Sequence, residues 1–271
     1  MTAPPRIGFF DSGLGGLSVL RHAPTRIAEA SYLYVADSAY APYGDQTPNT
    51  VRERSLVIAR FLAAQRIDAL VIACNTATAL AAELIRAEID VPVVAMEPAI
   101  KPAMQRSASG RVVVLATEST LRSERYRNLK NEHALDGLVI ERACHHWVEA
   151  LEKGDLDEQA LNRLVASELN DIQLEGADTY ILACTHFPFL EKQIARALDA
   201  GEQIIDPAPA VIEQLARVLG IQPVQRRMQK PELQVYTSGD IEQVSRRISQ
   251  LLSWLPEIQA LPVEPICSSE F

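Results

Sequence analysis

Residues 69–85 read ALVIACNTATALAAELI, and residues 179–194 read TYILACTHFPFLEKQI. Each stretch opens on a short apolar run, passes through Ala-Cys and a polar pair, and continues with apolar residues at helical spacing. Apolar runs without polar alternation are the mark of strands buried on both faces, as in a parallel sheet covered by helices. The two cysteines, Cys74 and Cys184, lie 110 residues apart. A second echo has nearly the same offset: RIGFFDS at 6–12 parallels RVVVLAT at 111–117, 105 residues on. Two matches in the same order predict two similar α/β units facing each other.

The rest of the chain fits that frame. Further strands are predicted at 7–10, 32–36, 69–73, 93–95, 112–116, 138–142, 179–183, 203–205 and 233–236, with helical spacing at 51–65, 156–174 and 211–219. The alternation predicts the α/β class: two pseudo-symmetric domains, each a mostly parallel sheet flanked by helices, with the active site in the cleft between them. The expected domains are 1–97 plus 208–271, and 98–207. Residues 208–271 are too few for a third core and are expected to pack back on the first domain. The stretch 261–271, with two prolines and several polar residues, is expected to be mobile.

Composition narrows the function classes. The 271 residues are 48% hydrophobic and 23% charged, an ordinary globular balance that excludes disorder and collagen-like structure. Lys+Arg number 26 against 35 Asp+Glu, a net charge of −9. Without a basic run, nucleic acid is not expected as the principal partner. The start lacks a signal-peptide layout, and the richest apolar stretch, 69–85, is broken by Asn75, Thr76 and Thr78, so no membrane span is expected. Four cysteines are too few for a disulfide scaffold and predict reduced thiols in the cytoplasm.

Ligands of open α/β sheets bind beyond the carboxyl ends of the strands, so the residues there are the ones to read. A buried cysteine is ordinarily a small hydrophobe, and that reading stands for Cys144; Cys267, in the tail, also lacks a strand-to-helix setting. Cys74 and Cys184 differ: each is placed at a strand-to-helix turn, where the helix N-terminus favours a thiolate. Each is followed by hydrogen-bonding residues, Asn75-Thr76 and Thr185-His186. Two such thiols aimed at one cleft suit removal of a proton from one face of a carbon and its return to the other, the chemistry of a racemase or epimerase.

Asp11 opens DSGLGG at 11–16, after a strand. The segment matches neither dinucleotide nor P-loop spacing. Asp11 suits an ammonium group or a proton relay, against the plainer reading of a helix cap by Asp11 or Ser12. Pro42-Tyr43-Gly44 reads as a turn at the cleft edge. His186 can activate the neighbouring thiol. The pair His145-His146 has poor zinc spacing, so no metal is expected. None of Lys101, Lys130, Lys153, Lys192 and Lys230 offers a Schiff-base site, so no cofactor is expected.

With these residues in hand, the chain resembles the glutamate racemases of the cofactor-independent aspartate/glutamate racemase superfamily. The resemblance rests on DSGLGG at 11, PYG at 42, ACNTAT at 73, AIKPA at 99, LATESTLRSERY at 115 and LACTHFPFL at 182, and spans about residues 6–206. It implies two pseudo-symmetric domains, interconversion of L- and D-glutamate, and supply of D-glutamate for bacterial peptidoglycan. Carried over, it makes Cys74 and Cys184 the acid–base thiols, with Asp11 and His186 assisting them. It makes Ser12, Tyr43, Gly44, Asn75, Thr76, Thr117, Thr120 and Thr185 substrate contacts, with Asp11 and His186 among them. Glu152, eight residues after Cys144, matches an acidic residue of the family. The chain departs from the family pattern at Ser119, at Ala183 and at Cys144-His145-His146-Trp147, which leaves the local loop geometry and the place of Glu152 open. Two alternatives also stand: a racemase of aspartate or another acidic amino acid, and an acidic binding or regulatory protein on the same fold. A homodimer is one open assembly state.

Overall fold

The computed structural model describes residues 4–27, 29–134, 137–154, 157–170, 176–222 and 232–252, with the backbone of 263–265. The chain divides into two compact units, Met1–Met96 with Ala208–Phe271, and Glu97–Pro207.

The first unit begins with β1 (Arg6–Asp11), the short helices α1 (Leu17–Leu20) and α2 (Ala23–Arg26), and β2 (Ser31–Ala36). It continues with α3 (Pro48–Ala64), β3 (Ala69–Ile72), α4 (Asn75–Glu88) and β4 (Val93–Ala95). The second unit carries α5 (Ile100–Arg106), β5 (Arg111–Ala116), α6 (Glu118–Arg122), α7 (Glu124–His133), β6 (Leu138–Ala143), α8 (His145–Lys153), α9 (Glu158–Leu169), β7 (Thr179–Ala183), α10 (Glu191–Ala197) and β8 (Gln203–Ile205). The chain then returns to the first unit with α11 (Ala208–Val218), β9 (Glu232–Thr237), α12 (Ile241–Leu251) and β10 (Val263–Pro265).

All paired strands are parallel. The first sheet has the order β10-β9-β2-β1-β3-β4, and the second β6-β5-β7-β8. The core of each is therefore the same path: one strand, its neighbour on one side, then two on the other. β1 corresponds to β5 and β3 to β7, the strands that the two sequence echoes paired. Ile7, Phe9 and Phe10 of β1, Leu70, Val71 and Ile72 of β3, Val112 to Leu115 of β5 and Tyr180 to Leu182 of β7 are all buried. Burial on both faces is what their unbroken apolar runs require.

Two expectations change. The stretch at 261–271 is not wholly irregular: Val263–Pro265 pairs with Val235–Thr237 as an edge strand, a place where proline is tolerated. Its other residues, Cys267 among them, lie outside the described residues. The helix predicted at 156–174 is α9, Glu158–Leu169, begun by Asp157, whose carboxylate accepts from the Ala160 N–H at 2.8 Å. Residues 156 and 171–174 lie outside the described residues.

Candidate active site

In the first unit, Cys74 follows β3 and is the N-cap of α4. Its backbone is extended, and its sulfur accepts from the Ala77 N–H at 3.3 Å. A sulfur in the place usually held by a serine or threonine oxygen sits against the positive end of a 14-residue helix, which favours the thiolate. Asn75 and Thr76, the first helical residues, are buried. Neither polar atom of the Asn75 amide has a hydrogen-bond partner. Buried polar groups are rarely left so, and an unpaired donor and acceptor beside a thiol suit a polar ligand.

Asp11 ends β1, the strand next to β3, and is fully buried. Its Oδ2 accepts from the Gly13 N–H at 3.2 Å. It does not cap α1: that helix starts after Gly16, with no side-chain cap. A Cβ on Gly16 would stand 2.8 Å from Asp11 Cβ, 2.8 Å from the Tyr34 hydroxyl and 2.9 Å from Ala73 Cβ. The glycine lets this loop press against Asp11 and the residue before Cys74. Ser12 is buried in the same loop.

The predicted 42–44 turn is a 3₁₀ turn, Tyr43–Asp45, with Tyr43 buried in one apolar cluster with Cys74. The Tyr43 hydroxyl donates to Asp37 Oδ2 at 2.6 Å. Burial, then the Asp37 carboxylate, push the phenol well above its ordinary pKa, so it stays neutral. Gly44 is the second residue of the turn and only partly buried.

The second unit is built differently after its thiol. Cys184 follows β7, but no α-helix starts there: a 3₁₀ turn, Phe187–Leu190, intervenes and α10 begins at Glu191. Pro188 lacks the N–H that continued helix bonding needs. The expectation of a helix N-terminus at this cysteine is therefore corrected, and His186 supplies the positive charge instead. Its Nδ1 lies 3.9 Å from the Cys184 sulfur, and its Nε2 lies 2.5 Å from Glu152 Oε1. Burial alone lowers the His186 pKa, but the hydrogen bonds with Cys184 and Glu152 and their charges outweigh it and hold the imidazole well above its ordinary value. The departure at Cys144-His145-His146-Trp147 leaves this contact intact, because Trp147 anchors α8 against Phe187 at 4.9 Å between rings.

Thr185 and His186 are buried in this unit. So is Thr120, which shares a hydroxyl–hydroxyl contact of 3.0 Å with Thr117, the N-cap of α6 beyond β5. Cys144 is buried as core, its thiol pushed far up by burial. His145 and His146 are exposed on α8 and face Glu118 and Glu149 at 3.8 and 4.0 Å. Among the described residues no group of three or more His, Cys, Asp or Glu is placed to hold a metal.

Sequence reading passed over Asp37 and Arg54. Arg54 Nε and Nη2 bind the two Asp37 oxygens at 3.0 and 2.8 Å. The two residues are 17 apart, on the end of β2 and on α3, and no motif joins them.

Fold and site together define a class: a duplicated parallel α/β chain with a cysteine at the end of the equivalent strand in each unit. The model of the Asp/Glu/Hydantoin racemase family matches residues 18–215. A glutamate racemase of Methylococcus capsulatus is 40% identical over 94% of this chain and 95% of its own length. One from Pseudomonas aeruginosa is 44% identical over 89% of this chain and 91% of its own. Among solved structures, glutamate racemase RacE1 of Bacillus anthracis superposes with a TM-score of 0.86 at 25% identity, covering 98% of this chain and 99% of that one. The Escherichia coli glutamate racemase, in complex with L-glutamate and the activator UDP-MurNAc-Ala, gives 0.83 at 26% identity, covering 98% and 100%. The chain belongs to the Asp/Glu/hydantoin racemase family.

Proposed function

We infer that this chain is an isomerase that interconverts L- and D-glutamate by proton transfer at the α-carbon, supplying D-glutamate for peptidoglycan. The observation that carries the reading is the strand-end cysteine repeated at the equivalent position of both units. Relatives over nearly the whole chain that are glutamate racemases point to the substrate. The α-proton of an amino acid is weakly acidic, and one base serves only one face of the carbon. One thiolate takes the proton while the opposite thiol gives one, and the two exchange roles in the return direction.

The surroundings of each sulfur suit this. The α4 N-terminus favours a Cys74 thiolate. The His186 imidazole, held by Glu152, stands against the Cys184 sulfur and can exchange a proton with it. Buried Asp11 offers a carboxylate to the substrate ammonium, and the unpaired Asn75 amide offers a donor and an acceptor. Thr76, Thr117, Thr120, Thr185, Ser12 and the Tyr43-Gly44 turn complete the proposed substrate contacts. We assign the reaction to the cytoplasm, where thiols stay reduced. Among the described residues no helix is long and apolar enough to cross a membrane.

The test is the change in optical rotation of L-glutamate with purified protein and no added cofactor or metal, run beside L-aspartate. Decay to zero rotation with glutamate supports the reading. Racemisation of aspartate alone would replace the substrate, and none with either would overturn it.

A further inference from the structure

We propose that Arg54 and Asp37 are positioning residues for the Cys74 half-reaction: together they fix Tyr43 beside the thiol and keep that side of it electrically neutral. The proposal rests on the two-thiol reading above and concerns residues which that reading does not use.

The geometry is a closed buried network. Asp37 is fully buried at the end of β2, where a lone carboxylate is strongly disfavoured. Its Oδ1 accepts from Arg54 Nη2 at 2.8 Å and from the Ser238 hydroxyl at 2.7 Å. Its Oδ2 accepts from Arg54 Nε at 3.0 Å and from the Tyr43 hydroxyl at 2.6 Å. The Arg54 guanidinium also lies 4.3 Å from the centre of the Tyr40 ring. Four chain segments thus meet on one carboxylate: the end of β2, the Tyr43 turn, α3 and the residue after β9.

This network reaches Cys74 through Tyr43, which belongs to the same buried cluster and whose phenol is near enough to be disfavoured as an anion by the Cys74 charge. The Tyr43 hydroxyl proton is committed to Asp37, so the phenol is anchored from behind and holds the turn in place. The charge matters equally. Asp37 without Arg54 is an unshielded negative charge one side chain away from a sulfur that must become negative. Asp37 with Arg54 is neutral as a pair. Asp11, at the end of the neighbouring strand β1, is a further titratable group on this side of the sheet. Of the other charges of α3 and α4, Arg52 donates to Leu80 O and Asn49 Oδ1, Glu53 is exposed, and Arg60–Glu88 and Arg86–Glu83 form exposed pairs.

The test follows Cys74 directly, because the two enantiomers are equally stable and kcat/KM must change equally in both directions. The rate of alkylation at each cysteine, mapped by peptide, is measured against pH in the intact protein, with Cys184 as internal reference. Arg54→Met leaves Asp37 unpaired and raises the Cys74 midpoint by about one pH unit. Asp37→Asn leaves Arg54 unpaired and lowers it. Asp37→Asn with Arg54→Met brings it back toward the wild-type value. The Cys184 midpoint stays in all three. Arg54→Lys keeps the charge but loses the two-pronged grip, so the midpoint holds while racemisation falls about tenfold. Should Arg54→Met fail to fold, Asp37→Asn and Arg54→Lys still carry the test. A network that serves stability alone moves the single and double variants the same way, or moves Cys184 along with Cys74, and either result overturns the proposal. Failure of the two-thiol reading looks different: wild-type protein alkylated at Cys74 keeps its full racemase activity.

Discussion

The two nitrogens of His186 face opposite ways, Nδ1 to the Cys184 sulfur at 3.9 Å and Nε2 to Glu152 Oε1 at 2.5 Å. The imidazole is almost wholly buried, and its hydrogen bonds with Cys184 and Glu152, together with their charges, hold its proton against that burial. The Cys74 sulfur accepts from the Ala77 N–H at the start of α4. The two thiols thus sit in different settings, an α-helix N-terminus at Cys74 and a buried histidine–carboxylate pair at Cys184.

That difference makes Glu152 a sensitive position. Glu152→Gln keeps size and one acceptor but removes the charge. Burial then pulls the His186 pKa down, and the imidazole loses its proton near neutral pH. Racemisation is expected to fall about 10- to 100-fold, the usual worth of a hydrogen bond to a charged group. The pH–rate profile should gain a decline on its alkaline side that the wild type lacks. Stability follows the same sign. A histidine whose pKa is raised by folding stabilises fully below its ordinary value of about 6.5, and that contribution fades as pH rises through the raised value. The wild type should therefore exceed Glu152→Gln in Tm most near pH 6 and least in alkaline buffer. An equal gap at every pH contradicts the assignment.

Gly16 tests the loop that holds Asp11. Its φ of −61° suits any residue, so backbone strain is not at issue. A methyl group there would meet Asp11, Tyr34 and Ala73 at 2.8–2.9 Å. Gly16→Ala should cost about 1–3 kcal/mol of stability, as overpacking does. Because the atoms displaced are Asp11 and the neighbour of Cys74, racemisation should fall by more than the loss of folded protein explains. Activity in proportion to folded protein would separate this loop from the site.

Asp178 offers a control remote from the chemistry. Its carboxylate accepts from the Ser107 hydroxyl at 2.6 Å and from the N–H groups of Ala108 and Ser109 at 2.8 and 2.7 Å. Burial is the largest single influence and opposes its ionisation, but these bonds, with one from the Thr179 hydroxyl, together outweigh it and bring its pKa to about 2. A carboxylate with a depressed pKa stabilises above its ordinary value of about 3.9 and loses that contribution as pH falls toward 2. Asp178→Asn should lower Tm at pH 6 and lose less on acidification between pH 4 and 2, with the per-molecule activity at pH 7 unchanged.

The legible and illegible parts of the sequence divide on physical lines. β3 and β7 show as runs such as LVI and YIL because parallel strands bury both faces, and the paired thiols follow from position alone. The order of the inner strands is foreshadowed by the echo between residues 6–12 and 111–117. Asp37 and Arg54 leave no such trace, since their contact is tertiary and each reads locally as a turn acid or a helix base. β10 is hidden by its length of three residues and its proline. Glu152 enters only through the family resemblance, and its bond to His186 depends on how α8 is set by Trp147, which no local pattern encodes. The helix expected after Cys184 fails because Pro188 breaks the bonding that α4 completes after Cys74.

The two-thiol mechanism itself makes the sharpest prediction. The resemblance to the glutamate racemases implies that Cys74 takes the proton from D-glutamate and Cys184 from L-glutamate. Each turnover needs one thiolate and one thiol, so Cys74→Ala and Cys184→Ala should each abolish racemisation in both directions. Half of the chemistry should survive. Cys184→Ala keeps the base for D-glutamate, and in D₂O it should slowly exchange the α-proton of D-glutamate, but not of L-glutamate, without inverting it. Cys74→Ala should do the reverse. In wild type the abstracted proton and the donated one belong to different sulfurs. When L-glutamate is converted in D₂O, the first D-glutamate formed should carry solvent deuterium, and the remaining L-glutamate should carry little. A single base that swings between faces returns substrate hydrogen to the product instead. Substantial transfer of that hydrogen, or near-normal racemisation by either alanine variant, would falsify the assignment of one thiol to each face.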